Sequence, residues 1–247
     1  INKFKNFKDK IIYLVVDKQP KNILELVKGE SKDNRGEKLI LNGMARDYFQ
    51  RENVSRGLTE ASDEDLIIIS DLDEIPNLEK LNFSNIKNNI VMFEQKMFYY
   101  KFNLLYENFT WLGSKAIKHK YFKSPQWLRN IKGRKYPRWR IDTLFSKKKY
   151  SNLHYVKDGG WHFTCIRTPK ELEKKLLNFA HHYEYEESGL KVSDLKKFIN
   201  EKRVMYDHNV DQRGYKWSGK SILKKIDNED LPKYIQSNLK KYNEWLD

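Results

Sequence analysis

The sequence contains little cysteine and no long apolar run. Its single cysteine, Cys165, excludes an intrachain disulfide and a zinc site built on cysteines. No apolar stretch approaches the roughly 20 residues that a membrane-spanning helix needs. The opening segment, INKFKNFKDK, also lacks the apolar core of a signal peptide. With one cysteine and no such leader, a cytoplasmic location is the expectation for this chain.

The composition is polar but is that of a folded protein. The chain has 247 residues, of which 39% are hydrophobic and 14% aromatic, enough for one domain with elaborations. The formal net charge of +14 favours polyanionic partners, such as nucleic acid, phosphorylated ligands or acidic membrane surfaces. Because the lysines are spread along the whole chain, a generally lysine-rich composition explains the charge equally well.

Hydrophobic patterning predicts an α/β fold. Residues 10–17, KIIYLVVD, and residues 65–70 are typical of short buried strands. Residues 37–57 between them have the apolar spacing of a helix. A strand, a helix and a strand in this order favour a βαβ crossover and a parallel sheet. Further strands, as in a mixed sheet, are predicted at residues 90–102, 109–122 and 159–165.

The C-terminal half is predicted to be largely helical. One helix should begin after Thr168, because Pro169 suits the first helical position and Glu171 completes a capping box with Thr168. Apolar spacing predicts further helices toward the C-terminus. The expected organisation is one domain over residues 1–190, with a helical extension over residues 191–247 packed on it.

The segment DLIIISDLDEIPN, residues 65–77, ends a buried run with an acidic cluster. Residues two apart in a strand point to the same side, so Asp71 and Asp73 are expected to converge at the sheet edge where α/β folds bind ligands. Like charges this close need a cation, and oxygen ligands suit Mg²⁺ or Mn²⁺ with a substrate diphosphate. The alternative is an ordinary strand-to-loop exit, since aspartate is common in turns and Asp-x-Asp alone is a weak motif.

A second pattern, KDGGWHFTC, places His162 after two glycines that permit close backbone approach. A lone histidine is usually a satisfied core or surface residue. Beside the acidic cluster, however, a neutral imidazole at His162 can supply a third metal ligand or bind a phosphate oxygen. His181 and His182 are adjacent on a predicted helix, so at most one of them faces a site.

The densest basic region, residues 115–140, is interleaved with aromatic residues. This mixture fits nucleic-acid binding through phosphate contacts and base stacking. It fits an anionic-ligand pocket or a solvated face as well.

Six segments together resemble glycosyltransferase family 17, which includes the β-1,4-mannosyl-glycoprotein N-acetylglucosaminyltransferases. They follow in the family's order and approximate spacing over residues 4–183, and SDLDEIP and GGWHF are the most specific of their motifs. The segments are KIIYLVVD, RDYFQRENVSRGL, DLIIISDLDEIPN, MFYYKFN, GGWHFTC and KKLLNFAHHY.

The resemblance implies a GT-A-like (Rossmann-like) fold, a UDP-sugar donor and a divalent metal, Mn²⁺ or Mg²⁺. It also implies inverting transfer of a sugar such as N-acetylglucosamine to a glycan acceptor. By this analogy Asp71 and Asp73 match the Asp-x-Asp motif that holds metal and diphosphate, and His162 matches the family's histidine. The family's first strand precedes the matched segments, so this domain is expected to lack it.

An inverting transfer also needs a carboxylate that takes the proton from the acceptor hydroxyl. Glu94, Asp142 and Asp158 are the candidates. Glu94 is favoured because its strand is expected to run beside the Asp-x-Asp strand.

Further contacts to the donor and acceptor are expected from arginines and aromatic residues. The arginines would bind phosphate in bidentate fashion, and the aromatic rings would stack on sugars, although core packing explains the rings at least as well. The arginine candidates are Arg51, Arg56 and Arg138, and the aromatic candidates are Trp161, Trp111 and Tyr99.

Two alternatives remain at this point. IIISDLDEI also resembles the nucleophile loop of haloacid-dehalogenase-type phosphatases, although Ile75 replaces the usual Thr or Val and no later acidic pair ends a buried strand. The other alternative is a non-catalytic nucleic-acid-binding protein built on the basic region. No segment matches a nucleic-acid motif, so nucleic acid is the less favoured partner.

Overall fold

The computed structural model describes residues 2–87, 89–137, 139–143, 145–179, 182–210, 214–217 and 219–247. Two residues singled out above, Arg138 and His181, lie outside these ranges. The helices are α1 (Lys32–Asn53), α2 (Pro125–Asn130), α3 (Pro169–Leu177), α4 (His182–Ser188), α5 (Val192–Asn200) and α6 (Lys233–Gln236). The strands are β1 (Leu66–Ile69), β2 (Glu74–Pro76), β3 (Ile90–Tyr99), β4 (Leu104–Trp111), β5 (Lys115–Lys118), β6 (Leu153–Thr164) and β7 (Lys224–Lys225).

Within the described ranges, β3 is the central strand of a sheet of seven strands. One edge of β3 pairs antiparallel with β5 at its start and with β4 at its end, and the other edge pairs in parallel with β6. β1 and β7 add antiparallel strands outside β5 and β4, and β2 adds one outside β6. β1 and β2 therefore lie on opposite sides of β3, and residues 70–73, which join them, cross over it.

Apolar side chains pack on both faces of the sheet. On one face, two separate cores form at the two ends of β3: one includes Ile67, Ile69, Met92 and Leu128, and the other includes Met97, Tyr99, Leu172 and Leu195. On the opposite face the cores include Val91 and Phe93, and then Phe98, Phe163 and Leu231. The gap between the two cores of the first face is where residues 70–73 cross.

The predicted mixed α/β sheet with helices is confirmed, but its order differs from the expectation. The predicted strand at residues 10–17 is wrong: the segment is irregular, and Ile12 and Tyr13 are exposed. A β-branched run becomes a strand only when a neighbour pairs with its backbone, and no described strand does so here. The predicted βαβ crossover is therefore also wrong, since β1 pairs antiparallel with β5 and the parallel pair is β3 with β6.

Other predicted elements are present with shifted boundaries. The helix expected at residues 37–57 is α1, which begins five residues earlier at Lys32, after the N-cap Ser31, and continues into a 3-10 turn at Val54–Gly57. The strand expected at residues 109–122 is two strands, because β4 ends at Trp111 and β5 begins only at Lys115. The capping box of Thr168 and Glu171 opens α3 as predicted.

The end of the chain is only partly helical. Besides α5 and α6 it contains β7, which pairs with β4, so this segment extends the sheet as well as covering it. None of the helices in the described ranges combines the length and apolar character needed to cross a membrane.

Candidate functional site

The acidic cluster lies where the chain leaves β1, crosses β3 and enters β2. A turn is closed by the Glu74 N–H, which donates to the Asp71 carbonyl at 3.0 Å. The Phe163 N–H donates to the Asp73 carbonyl at 2.8 Å and fixes the end of the segment to β6. Leu72, between the two aspartates, is fully exposed. The two carboxylates contact different partners instead of converging on one point.

Arg129, at the end of α2, neutralises two of the three carboxylates. Its Nη2 lies 2.6 Å from Asp71 Oδ2 and 2.8 Å from Glu74 Oε1, and its Nη1 lies 3.1 Å from Glu74 Oε2. Arg51 of α1 approaches the other oxygen of Asp71 at 3.5 Å. The cation that joins these carboxylates is therefore a guanidinium supplied by the chain itself.

Glu74 is the buried centre of this cluster, with a side chain that has no solvent exposure. Besides Arg129, it accepts hydrogen bonds from the Trp111 Nε1 at 2.6 Å and from the Asp71 N–H at 3.0 Å. Burial alone raises the pKa of Glu74, but Arg129, Trp111 and the Asp71 N–H outweigh it and hold this pKa below its ordinary value. Glu74 is a charged residue in the folded chain at neutral pH.

Gly113, in the turn between β4 and β5, leaves the space that the Glu74–Trp111 pair occupies. A Cβ at this position would lie 1.8 Å from Glu74 Oε1 and 2.1 Å from Trp111 Nε1. Neither atom can move without breaking the hydrogen bond between the two residues. A glycine is therefore required here for the buried carboxylate to be held.

Gly160 has a similar role on β6. Its φ is +134°, and a Cβ there would lie 2.0 Å from the Ile75 carbonyl oxygen. The sequence predicted a close backbone approach at Gly159 and Gly160. At Gly160 the backbone that approaches is that of β2, so no ligand is needed to explain the glycine.

A second group of side chains surrounds Asp73. His162 Nε2 lies 3.5 Å from Asp73 Oδ1, and Lys175 Nζ of α3 lies 3.9 Å from Asp73 Oδ2. Burial raises the pKa of Asp73, but the His162 contact and the Lys175 charge outweigh it and hold this pKa below its usual range. Asp73 keeps 36% of its side chain exposed, whereas His162 keeps 7%. A buried imidazole and a partly exposed carboxylate thus lie side by side.

His162 is held in place by stacking. Its ring lies 4.6 Å from the Trp111 ring at an interplanar angle of 21°, and its Nδ1 is buried without a hydrogen-bond partner. Because Trp111 also bonds Glu74, it links the Arg129 cluster to the Asp73–His162 pair.

The fit of these residues to a divalent metal differs between the two aspartates. A carboxylate oxygen and an imidazole nitrogen are suitable ligands for Mn²⁺, and Asp73 and His162 already lie next to each other. Asp71 does not fit as a third ligand in this arrangement, because each of its oxygens faces a guanidinium. Within the described ranges no three His, Cys, Asp or Glu side chains group as a metal site. Water and substrate phosphate would occupy the remaining coordination positions of the metal, as is common for Mg²⁺.

The structure does not bring the proposed general bases to this site. Glu94 and Asp158 line a cavity of about 250 Å³, and Asp158 and Trp161 line a cleft of about 650 Å³. Neither space is lined by Asp73 or His162. Glu94 was favoured because its strand was expected to run beside the strand that precedes Asp71. Its strand, β3, does not do so, because β5 lies between β1 and β3.

Three other candidates contact residues away from the acidic cluster. Asp142 is bound by Arg140 and Lys149. Arg56 donates from Nη2 to the Val15 carbonyl at 3.0 Å. Tyr99 is buried in the core, so its ring is a packing residue. Arg51 is the one arginine of the predicted phosphate-binding set that the described structure places beside the cluster.

Sequence reasoning missed Arg129, Lys115 and Lys175. Lys115 is buried, and its Nζ donates to the carbonyls of Arg129 and Ile131 at 2.6 Å each, which holds the end of α2. Burial, and then the charge of Arg129, lower the pKa of Lys115 to about 8. One available signal was the Ser124-Pro125 pair, a start signal for the short helix that carries Arg129.

His208 was also missed. It stacks on Phe109 at 4.9 Å and meets the edge of Trp111 at 6.0 Å. Burial, followed by the charges of Lys216 and His162, lowers the pKa of His208 to about 4. A second imidazole, neutral at physiological pH, therefore contacts Trp111.

Comparisons with known proteins give no match: no protein-family model, no curated protein and no solved structure resembles the chain at a significant level.

Proposed function

We propose that this protein is a metal-dependent inverting glycosyltransferase of GT-A-like fold that moves a sugar from a UDP-sugar to a glycan acceptor. The observation that carries the proposal is the pairing of Asp73 with His162, 3.5 Å apart in a partly open site. These residues come from SDLDEIP and GGWHF, the two most specific motifs of the family resemblance. N-acetylglucosamine is the sugar that the resemblance favours.

In this proposal Asp73 and His162 hold the metal, and Asp71 does not. The metal, when bound, supplies positive charge to the leaving diphosphate. Lys175 adds a cation beside Asp73, since its side chain remains 37% exposed while its Nζ lies 3.9 Å from Asp73 Oδ2. Asp71 and Glu74 act indirectly, because their contacts with Arg129 shape the turn from which Asp73 projects.

The phosphatase alternative is less well supported. It needs Asp71 as the nucleophile, yet both oxygens of this carboxylate face arginine side chains. A nucleophilic carboxylate in such contacts has its charge neutralised and its approach to a phosphorus atom obstructed.

The proposal is tested by a thermal-shift titration with UDP-N-acetylglucosamine, with and without Mn²⁺, and by UDP release in the presence of a glycan mixture. The sugar nucleotide should stabilise the wild-type chain only with Mn²⁺. Asp73→Asn and His162→Gln should each lower Mn²⁺-dependent UDP release by about 100-fold or more, the scale of removing one group that stabilises developing charge. Asp71→Asn should lower UDP release, because Asp71 helps to shape the turn that carries Asp73, without changing the affinity for Mn²⁺.

Asp227→Asn is the matched control, since Asp227 is an exposed aspartate in the C-terminal segment. It should leave both measurements unchanged. Equal Mn²⁺-dependent turnover in wild type and Asp73→Asn would contradict the proposal. A thermal shift with UDP-N-acetylglucosamine that is the same with and without Mn²⁺ would contradict it as well.

A further inference from the structure

The chain that follows α2 is strongly basic over residues 132–149, which we call the basic loop; Arg138 and Leu144 of this loop lie outside the described residues. Its sequence, KGRKYPRWRIDTLFSKKK, contains eight Lys or Arg residues and one acidic residue. The Lys132 N–H donates to the Lys148 carbonyl at 2.8 Å and ties the two ends of the loop together. The two ends of the basic loop are therefore adjacent, and its sequence gives it a high local charge.

The acidic residue of the basic loop is used to brace it from within. Asp142 receives two hydrogen bonds from Arg140, at 2.6 and 2.7 Å, and one from Lys149 at 2.8 Å. The same two cations lie about 6 Å from the Tyr136 ring centroid. Five further cations in the part of the loop that the structure describes are exposed, namely Lys132, Arg134, Lys135, Lys147 and Lys148.

Large apolar side chains project from the same loop. Trp139 is 77% exposed, Ile141 69% and Phe145 85%. Single exposed apolar residues are common on protein surfaces, but three within seven residues of one loop mark an interaction site. The loop thus combines exposed positive charge with exposed apolar side chains.

We propose that the basic loop docks the protein onto an anionic lipid surface. The lysines and arginines are attracted to acidic headgroups, and Trp139, Ile141 and Phe145 enter the interface between headgroups and acyl chains. Single-stranded nucleic acid fits less well, because binding by base stacking uses aromatic rings and leaves an exposed aliphatic residue such as Ile141 without a role. This surface lies outside the Asp73–His162 site and does not depend on the sugar-transfer proposal.

Vesicle flotation of the full chain tests the docking. The protein should float with vesicles that mix phosphatidylserine into phosphatidylcholine and should not float with phosphatidylcholine alone. Trp139→Ser/Phe145→Ser and Lys147→Glu/Lys148→Glu should each weaken binding at least about tenfold. Brominated lipids should quench tryptophan emission in the wild type and much less in Trp139→Phe, which keeps the apolar contact.

The matched controls replace exposed aromatic and lysine side chains that lie outside the basic loop. Phe4→Ser/Phe7→Ser removes two other exposed aromatic residues, and Lys220→Glu/Lys240→Glu reverses two exposed lysines outside the loop. Both should bind vesicles like the wild type. The proposal is overturned if the wild type does not bind acidic vesicles, if the controls lose as much binding as the loop variants, or if the chain binds oligonucleotides but no vesicle.

Discussion

Arg129 and Arg140 each hold a carboxylate through two or more short contacts, yet they do so in opposite environments. Arg129 contacts Glu74 and Asp71 at 2.6 to 3.1 Å, with Glu74 fully buried and Arg129 only 15% exposed. Arg140 contacts Asp142 at 2.6 and 2.7 Å, with both side chains 40% exposed. The contact distances are nearly the same, so the surroundings must decide what each pair does.

The buried charges of Arg129 and Glu74 need each other for stability, whereas the exposed charges of Arg140 and Asp142 do not. A buried charge that loses its partner has neither water nor counterion, which is strongly destabilising. An exposed charge that loses its partner is simply rehydrated. We therefore expect the Arg129 cluster to hold residues 70–74 in a single conformation, and the Arg140 pair only to shape the basic loop.

The largest expected difference between the two clusters comes from removing each arginine. Arg129→Met leaves Glu74 buried without its salt-bridge partner, so the free energy of unfolding should fall by about 3–5 kcal/mol. Arg140→Met should leave the denaturation midpoint unchanged. Urea denaturation of both variants measures this, and equal stability of the two would break the comparison.

A smaller loss is expected from filling the space beside Glu74. Gly113→Ala places a methyl group 1.8 Å from Glu74 Oε1, so overpacking should lower the free energy of unfolding by about 1–3 kcal/mol. Gly57→Ala is the matched control, since the nearest atom to its Cβ is 3.5 Å away. The comparison fails here if both alanine variants are as stable as the wild type.

The pH dependence of stability should distinguish the clusters further. The pKa of Glu74 in the folded chain is lowered from an ordinary value of 4.5. The charge of Glu74 therefore contributes fully to the free energy of unfolding above pH 4.5, and this contribution is lost as the pH falls through the lower folded pKa. Glu74→Gln should remove this part of the acid destabilisation, once the lower stability of the variant is taken into account. Denaturation midpoints measured from neutral pH into the acid range, for both proteins, test this; parallel curves would contradict it.

The smallest effect is expected from salt. Hydrogen bonds from Arg140 and then Lys149 lower the pKa of Asp142, but this carboxylate is exposed and should be screened in 1 M salt, where the Debye length is about 3 Å. The pKa of the buried Glu74 should change little. Carboxyl titration by NMR at low and high salt measures both groups, and an equal response would mean that the two environments do not differ as described.

Much of the local structure could be predicted from the sequence. The buried run before Asp71 is β1, the Thr168 capping box opens α3, and the long helix around Arg51 is α1. These elements depend on residues within a few positions of one another, where apolar period and capping chemistry are informative. The strand expected at residues 10–17 fails for the opposite reason, since its formation depends on a distant neighbour.

For the candidate site, the sequence alone determined that Asp71 and Asp73 follow a buried strand and that His162 lies within a later one. Only the tertiary structure decided their partners. Arg129 reaches Asp71 from 58 positions away along the chain, and β2 pairs with β6 so that Glu74 stands opposite His162. A local pattern specifies where a charge lies along the chain, but the counterion that neutralises it is chosen by packing between elements that the pattern does not connect.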